Sequence, residues 1–306
     1  MRVAVDTRGT VDPRGIGRYV RCLVEGLRAT AADGRELVEM HRPRGVDLFH
    51  APRVEAALLR CAIPQVVTIH DLVILKRPGE YLRTGLRYRL RFLAASRAVR
   101  VIVPTHVVAA DVVSRLDVDP ERIVVVGEAA APAFRPRPAD EVERAREAHS
   151  LPEEYLVWVG GLEHNDPRKR VRELAAAATD VPLVLVGPTK PWAGELPNVT
   201  LTGHVSDDEL AAILSGARAL VFPSDDEGFG LPPVEALACG TPVVCTDIPA
   251  LREVLGDRAT YAPFDDLLAT AWSGNGRPTS PLDRTWADVG RETWAVYADA
   301  TEGSVP

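Results

Sequence analysis

Two glutamates frame a glycine-containing loop in the second half of the chain. Glu227 stands before Gly228-Phe229-Gly230-Leu231, and Glu235 follows with seven residues between the two glutamates. A glycine loop that opens a helix presents backbone N–H groups and the positive end of the helix dipole to an anion. Carboxylates repel phosphate, so we expect both glutamates to bind hydroxyl groups instead. This stretch therefore predicts a site for a ligand with phosphates and hydroxyls, such as a nucleotide sugar.

The elements that position this loop are marked by proline and glycine. An apolar strand is predicted over 220–222, and it ends at Pro223. Pro232-Pro233 suits the first turn of the next helix, because proline has a fixed φ and no N–H to leave unpaired. Gly240 is a natural end for that helix, and a second strand is predicted over 242–245.

The run over 227–244 resembles the Glu, seven residues, Glu signature of the retaining, nucleotide-sugar-dependent glycosyltransferases of family four. The resemblance implies that Glu227 meets the sugar hydroxyls and Glu235 the ribose. It also implies a donor-binding loop made of Gly228, Phe229, Gly230 and Leu231. The alternative is that Glu227 is a solvated loop residue and Glu235 only a partner for the helix dipole.

Two cations stand directly before a predicted helix that starts at Val171. Arg168 and Lys169 face an unfavourable dipole there unless an anion is also present, and a diphosphate would supply one. The pair resembles the family's Arg-Lys pair, which implies that Lys169 contacts the donor phosphates. Some members carry an arginine after the preceding glycine, but Gly161-Leu162-Glu163 has none. The alternative is a pair of ordinary solvated cations.

The first strand, over 2–6, leads to Gly15-Ile16-Gly17 and a helix with apolar residues at helical spacing. This is a Rossmann opening, although two glycines alone are a weak signal. The missing third glycine argues against a nicotinamide-dependent oxidoreductase. The family resemblance implies that Gly15 and Gly17 lie against the donor diphosphate; the alternative is a tight turn without chemistry.

Two predicted strands, over 46–52 and 65–72, carry His50 and His70 near their ends, where ligands of parallel sheets collect. The resemblance implies that His70 approaches the transferred sugar. There it can donate a hydrogen bond to a hydroxyl or respond to charge at the anomeric carbon. For His50 we favour a histidine satisfied within the strand end.

The turn that begins at Gly203 resembles the family's base-binding turn, which implies that the backbone at Val205 reads the nucleobase edge. Ser206 also fits the N-cap of a helix that has Glu209 at its third position. Because backbone atoms would do the reading, the sequence does not disclose which base is bound.

The 306-residue chain has a net charge of −7. Residues 1–150 carry 25 basic and 19 acidic side chains, whereas residues 151–306 carry 11 and 24, so an anionic partner should prefer the first part. We expect no nucleic-acid partner and no cofactor besides the donor substrate. Asp225-Asp226 has no further ligand in view, so no metal is expected. Four cysteines without metal or redox spacing favour a reducing, cytoplasmic setting.

A helix over 81–97 combines leucines with arginines and predicts a basic amphipathic surface. Such a surface can lie on anionic lipid, as in a peripheral membrane protein, or guide a phosphate-bearing acceptor. The alternative is an ordinary outer helix. No run approaches the roughly 20 apolar residues of a membrane span.

The fold class predicted is α/β, with two Rossmann-like βαβ domains that face each other across a cleft, the GT-B architecture implied by the resemblance. We expect an acceptor-side domain over 1–132, a linker and connecting helix over 133–150, a donor domain over 151–284 and a helix over 285–306 that crosses back. The segment between the first helix and the strand at 46–52 is too short for two complete βα units, so the first domain is expected to be shortened.

The function expected is metal-independent transfer of a hexose from a nucleoside diphosphate sugar to an acceptor hydroxyl, with retention, in the synthesis of cell-envelope polysaccharide, glycolipid or a related glycoconjugate. His70, Glu227 and Lys169 are the predicted catalytic residues. The alternatives are an epimerase or phosphorylase on the same scaffold, and a non-catalytic partner protein that binds the donor.

Overall fold

A computed structural model describes residues 1–12, 15–77, 79, 82–274 and 280–302, without the side chains of 82–87. Tyr81, the side chains of Arg83 and Arg87, and residues 303–306 of two predicted helices therefore lie outside the described residues. The chain divides into two compact units. One comprises Met1–Ala129 with Arg284–Pro306, and the other comprises Ala130–Asp283.

Each unit is built on one six-stranded sheet whose strands all run parallel. The strands are β1 Arg2–Val5, β2 Glu36–Glu39, β3 Leu48–Ala51, β4 Gln65–Thr68, β5 Arg100–Val103, β6 Ile123–Val125, β7 Leu156–Val159, β8 Leu183–Val186, β9 Val199–Gly203, β10 Ala219–Phe222, β11 Val243–Cys245 and β12 Thr260–Tyr261. Strands β3, β4, β7, β8, β10 and β11 are buried at every residue, as expected for sheets covered by helices on both faces.

The helices alternate with these strands. They are α1 Gly15–Ala29, α2 Val73–Lys76, α3 Leu82–Ser96, α4 His106–Leu116, α5 Ala139–Ala148, α6 Val171–Ala177, α7 Asp207–Gly216, α8 Leu231–Ala238, α9 Pro249–Leu255, α10 Leu267–Trp272 and α11 Trp286–Glu302. None of the described helices is both long and apolar enough to cross a membrane.

Strand order locates a switch point in each sheet. The second sheet runs β9-β8-β7-β10-β11-β12, which is the Rossmann order, and its direction of winding reverses between β7 and β10. The first sheet runs β2-β1-β3-β4-β5-β6, and its winding reverses between β1 and β3. In open α/β sheets the loops after the two strands at such a reversal diverge and leave a crevice where ligands bind.

The segment between α1 and β3 contains a single strand. Strand β2 pairs with the outer side of β1, and residues 40–47 then return directly to β3 without a helix. The βα unit that begins with β2 therefore lacks its helix. This agrees with the expectation that the segment lacks room for two complete units.

Helix α11 packs on α1 within the first unit through two glycines. A Cβ at Gly26 would lie 2.2 Å from the carbonyl oxygen of Trp286, and a Cβ at Gly290 would lie 2.4 Å from that of Gly26. The indole N–H of Trp294 donates to the carbonyl of Leu27 at 2.9 Å. The two helices thus meet backbone to backbone, which only glycine at these positions allows.

Candidate active site

The loops after β7 and β10 meet at the switch point of the second sheet. Arg168 Nη1 lies 3.7 Å from Glu227 Oε2 and 3.4 Å from the carbonyl oxygen of Asp226. The backbone N–H of Asp225 donates to the carbonyl of Arg168 at 2.9 Å. Three contacts of Arg168 therefore join the predicted phosphate-side loop to the predicted sugar-side loop.

Local capping fixes Arg168 in this position. Residues Pro167–Lys169 form a short 3-10 turn, and the Asp166 carboxylate accepts from the backbone N–H of Arg168 at 3.2 Å and from its Nε at 2.9 Å. The side chains of Arg168 and Glu227 are only 12% and 13% exposed. Two opposite charges shielded this far from water interact more strongly than a surface pair does.

Lys169 lies over the indole ring of Trp158, in the strand that precedes the loop. Its Nζ is 5.9 Å from the ring centroid of Trp158, which is completely buried in β7. A Cβ at Gly160 would come within 2.5 Å of the Trp158 ring, so Gly160 makes room for the indole. The cation–π contact holds the ammonium group at the carboxyl end of β7.

The glycine loop continues from Glu227 into α8 as the sequence predicted. Gly230 has a φ of 90°, in the left-handed region that glycine adopts without strain, and α8 begins at the next residue, Leu231. Pro232 and Pro233 occupy the first turn, where no backbone N–H donor is needed. Glu235 lies within α8 and is completely buried. Phe229 and Leu231, the two large side chains of the loop, are buried.

The predicted base-side turn has the expected cap. Ser206 Oγ accepts from the backbone N–H of Glu209 at 3.2 Å, and the Glu209 carboxylate accepts from the backbone N–H of Ser206 at 3.0 Å. The Ser206 hydroxyl, which donates to Glu209 Oε2 at 2.6 Å, and the backbone N–H of Ser206 lower the pKa of Glu209, because both stabilise its charged form. The capping box fixes the backbone at Val205, which is buried at the carboxyl end of β9.

Ser224 belongs to the same region and was not anticipated from the sequence. It lies two residues after β10, and its Oγ is buried without a hydrogen-bond partner among the described residues. A polar residue just beyond a buried strand is the only signal that could have indicated it.

Within the described part of the chain, no group of three or more His, Cys, Asp or Glu side chains is arranged to hold a metal ion.

His70 lies in the first unit, just beyond β4, with both ring nitrogens engaged. Nδ1 is 3.1 Å from Glu128 Oε1, and Nε2 is 3.0 Å from the carbonyl oxygen of Pro52. Tyr19 packs edge-on against the imidazole with the ring centroids 4.4 Å apart. Because both partners are acceptors, this setting suits an imidazolium that donates from both nitrogens.

Charge around His70 agrees with that hydrogen-bond pattern. Burial by itself lowers the pKa of the imidazole, but the hydrogen bond and negative charge of Glu128, together with the carbonyl of Pro52 and the charge of Asp71, raise the pKa above its ordinary value. Glu128 itself is almost fully buried. Sequence reasoning missed it, and the only available signal was an acidic residue shortly after a strand.

His50 is a structural residue, as the sequence favoured. It is completely buried between Tyr297, whose hydroxyl lies 2.6 Å from Nδ1, and Thr68, whose Oγ1 lies 2.9 Å from Nε2. Burial, and then the charge of nearby His70, lowers the pKa of His50 to about 3. His50 is therefore neutral at neutral pH and links β3 to α11.

The two glycines predicted near the donor stand in the first turn of α1. Gly15 is the first residue of the helix. Gly17 is buried, and a Cβ there would lie 1.9 Å from the carbonyl oxygen of Asp12. The carbonyl of Asp12 thus leaves no room for a side chain at position 17, so the fold itself favours glycine there whether or not a ligand binds.

Two family models match the chain. The model described as Glycosyltransferase Family 4 matches residues 3–129, and the model described as Glycosyl transferases group 1 matches residues 153–272. The chain belongs to the family-four-like glycosyltransferases. The two matches fall one in each unit, which confirms the family resemblance given by the sequence motifs.

Among its relatives is the O-antigen chain mannosyltransferase B of Escherichia coli, 28% identical over 224 residues that cover 66% of this chain and 58% of the relative. Another is the MMP alpha-(1->4)-mannosyltransferase of Mycolicibacterium hassiacum, 29% identical over 79% of this chain and 67% of the relative. The chain thus spans little more than half the length of the first of these proteins.

Solved structures agree on the fold. Anabaena HepE, determined in complex with UDP and glucose, has a TM-score of 0.70 at 17% identity and covers 99% of each chain. WaaG, a glycosyltransferase involved in lipopolysaccharide biosynthesis, has a TM-score of 0.67 at 16% identity over the whole of both chains. The predicted α/β class with two Rossmann-like units, of the GT-B type, is therefore confirmed.

Proposed function

We propose that this chain transfers a hexose from a nucleoside diphosphate sugar to an acceptor hydroxyl, with retention and without a metal ion. The observation that carries the proposal is the contact of Arg168 with Glu227 at the switch point between β7 and β10. A cation for phosphate and a carboxylate for hydroxyls stand side by side there, which is what a sugar diphosphate requires.

The proposed chemistry follows from the charges that develop as the glycosidic bond breaks. Negative charge grows on the leaving diphosphate, and Lys169, Arg168 and the backbone N–H groups of 228–231 would stabilise it. Glu227 would orient the sugar through its hydroxyls, and the buried Glu235 would bind the ribose. These fixed cations and dipoles would do the work that a metal ion does in other transferases.

His70 is proposed to approach the transferred sugar. Glu128 holds Nδ1, so Nε2 is the nitrogen that would change partner, exchanging the carbonyl of Pro52 for a sugar hydroxyl. Nothing among the sequence motifs provides a carboxylate nucleophile on the opposite face of the sugar. Retention would then come from attack on the face that the diphosphate leaves.

The names of the relatives favour particular sugars for the donor. Two of the relatives are named O-antigen chain mannosyltransferases, which favours a mannose donor and a role in cell-envelope polysaccharide synthesis. The HepE structure holds UDP and glucose, so a glucose donor is the natural comparison. Val205 and the loop at 228–231 would bind the donor in either case.

A peripheral position on an anionic membrane is proposed for the first unit. Leu90 and Leu93 of α3 are 56% and 43% exposed, and Arg89 and Arg97 are exposed beside them. We call these four residues the α3 patch. Exposed leucines between arginines can insert at a lipid surface while the cations bind headgroups.

A donor screen tests the proposed function. The melting temperature is measured with GDP-mannose, UDP-glucose, ADP-glucose and dTDP-glucose, first with EDTA and then with magnesium. A ligand that binds only the folded chain raises the melting temperature by mass action. We expect a shift with one donor that does not depend on magnesium. No shift with any of them, or a shift only with magnesium, would contradict the proposal.

A further inference from the structure

Arg53 is a half-buried arginine that stands two residues beyond the end of β3. Its Nε is shielded from solvent and has no hydrogen-bond partner, and the guanidinium makes no ion pair with any residue that the structure describes. Burying part of a charged group without a partner is costly. A buried polar group without a partner calls for an explanation, and an ion bound there supplies one.

Nearby acids and cations are already committed to each other. The buried Asp6 pairs with Arg8, and Glu128 pairs with His70. Arg21 donates to the carbonyl of Thr10 at 2.8 Å. Arg53 therefore adds a positive charge that these acids do not neutralise.

The position of Arg53 is the switch point of the first sheet. It follows β3, and its Nε lies 3.2 Å from the Cβ position of Gly9 in the loop after β1. Gly9 is buried, and any side chain there would press on the Arg53 guanidinium. The loops after β1 and β3 are the two that border the crevice in which sheets of this order bind ligands.

His70 lies at the same edge, but Glu128 already pairs with it, so Arg53 is the cation there that the neighbouring acids do not neutralise. The Nε2 of His70 lies 3.0 Å from the carbonyl oxygen of Pro52, the residue directly before Arg53. The planar fork of the arginine guanidinium matches the oxygens of phosphate, so phosphate is the anion that fits this site best.

We propose that Arg53 binds a phosphate group carried by the acceptor, in the crevice between the loops after β1 and β3. The identification of the ligand as the acceptor rests on the proposed function, but the anion site itself does not. Arg168 and Lys169 are the side-chain cations proposed for the donor phosphates, and both belong to the second unit, so we assign the Arg53 guanidinium to the other substrate.

Direct titration with inorganic phosphate tests the site without any transfer reaction. Calorimetry at constant ionic strength compares the unmodified chain with Arg53→Gln, Arg53→Lys, Arg60→Gln and Lys169→Gln. Arg60 is an exposed arginine of the same loop and serves as the matched control. We expect Arg53→Gln to weaken phosphate binding about tenfold, since a hydrogen-bonded charge is lost. The phosphate affinity of Arg53→Lys should lie between those of Arg53→Gln and the unmodified chain. Arg60→Gln should bind phosphate as the unmodified chain does.

Three results would overturn the proposal. Phosphate binding that survives in Arg53→Gln, but is lost in Lys169→Gln, would place the anion on the donor side only. Equal losses in Arg53→Gln and Arg60→Gln would indicate a diffuse charge effect. A melting temperature for Arg53→Gln above that of the unmodified chain, with phosphate binding intact, would show that the unpaired charge is only a structural cost.

Donor titration separates this proposal from the proposed function. Arg53→Gln should bind the nucleotide sugar as tightly as the unmodified chain, and an equal loss of donor affinity would assign the phosphate to the donor instead. If no donor binds at all while phosphate binding still depends on Arg53, the anion site stands and the proposed function fails.

Discussion

Arg168 and Glu227 form an ion pair across the switch point of the second sheet, with Nη1 3.7 Å from Oε2 and both side chains largely shielded from solvent. The two residues are 59 positions apart and come from loops that follow adjacent strands, β7 and β10. Under the proposed function, this ion pair would place a cation for phosphate beside a carboxylate for sugar hydroxyls.

Replacing Arg168 by glutamine should weaken binding of the bare nucleoside diphosphate about tenfold, because a charged hydrogen-bond donor is lost beside the phosphates. Calorimetric titration measures the effect. Arg172→Gln is the matched control, since Arg172 is an exposed arginine of α6 that stacks on Trp192. Equal affinities in the two variants would show that Arg168 does not contact phosphate.

His50 and His70 together should give the stability of the first unit a maximum near pH 6.5. The pKa of His50 falls from 6.5 to about 3 on folding, so its contribution is present above pH 6.5 and is lost as the pH falls toward 3. The pKa of His70 is raised above 6.5, so its contribution is present below pH 6.5 and is lost as the pH rises through the folded value.

Melting temperatures from about pH 4 to about pH 9 test this for the unmodified chain, His50→Gln and His70→Gln. His50→Gln should flatten the acid limb of the curve, and His70→Gln the alkaline limb. A steep acid limb in His50→Gln would show that the buried histidine does not set it.

Changing Gly17 to alanine should destabilise the ligand-free chain by about 1 to 3 kcal/mol, because the new Cβ would displace the carbonyl of Asp12. Urea unfolding measures the loss. Gly194→Ala is the control, since that position opens to solvent and should change stability by no more than about 0.5 kcal/mol. Equal stabilities would mean that Gly17 is needed by a ligand and not by the fold.

Mutating Leu90 and Leu93 together to glutamate should lower partitioning onto vesicles with about 30% anionic lipid by tenfold or more. The reason is that two apolar side chains of the α3 patch would be lost and two negative charges added. Sedimentation with vesicles gives the bound fraction. Val11→Glu changes another exposed apolar residue, away from α3, and should partition normally. Unchanged binding by the double variant would remove the α3 patch from the account.

Sequence predicted the second unit well because proline and glycine mark its boundaries. Gly230, Pro232 and Gly240 place α8 almost to the residue. Strand β2 was missed because it is a half-exposed edge strand with a glutamate at each end, without an apolar run. Helices α9 and α10 are short and depend on tertiary packing, so neither spacing nor propensity marks them.

Residues of the candidate sites could not be predicted from the sequence where their contacts join loops that are distant in the chain. Arg168, Lys169 and Glu227 could be named because each stands beside a recognisable helix start. Glu128 and Arg53 carry no such local signal. Their surroundings, an imidazole in one case and a glycine loop in the other, come from other strands of the folded sheet.

The central claim is that one site binds phosphate through Arg168 and Lys169 and sugar through Glu227. Calorimetry with a nucleotide sugar and with its bare nucleoside diphosphate, on the unmodified chain, Glu227→Gln and Lys169→Gln, tests it most directly. We predict that Glu227→Gln abolishes the extra affinity due to the sugar and leaves diphosphate binding intact, whereas Lys169→Gln weakens both. If Glu227→Gln binds the nucleotide sugar like the unmodified chain, or if the folded chain binds neither ligand, the account is wrong.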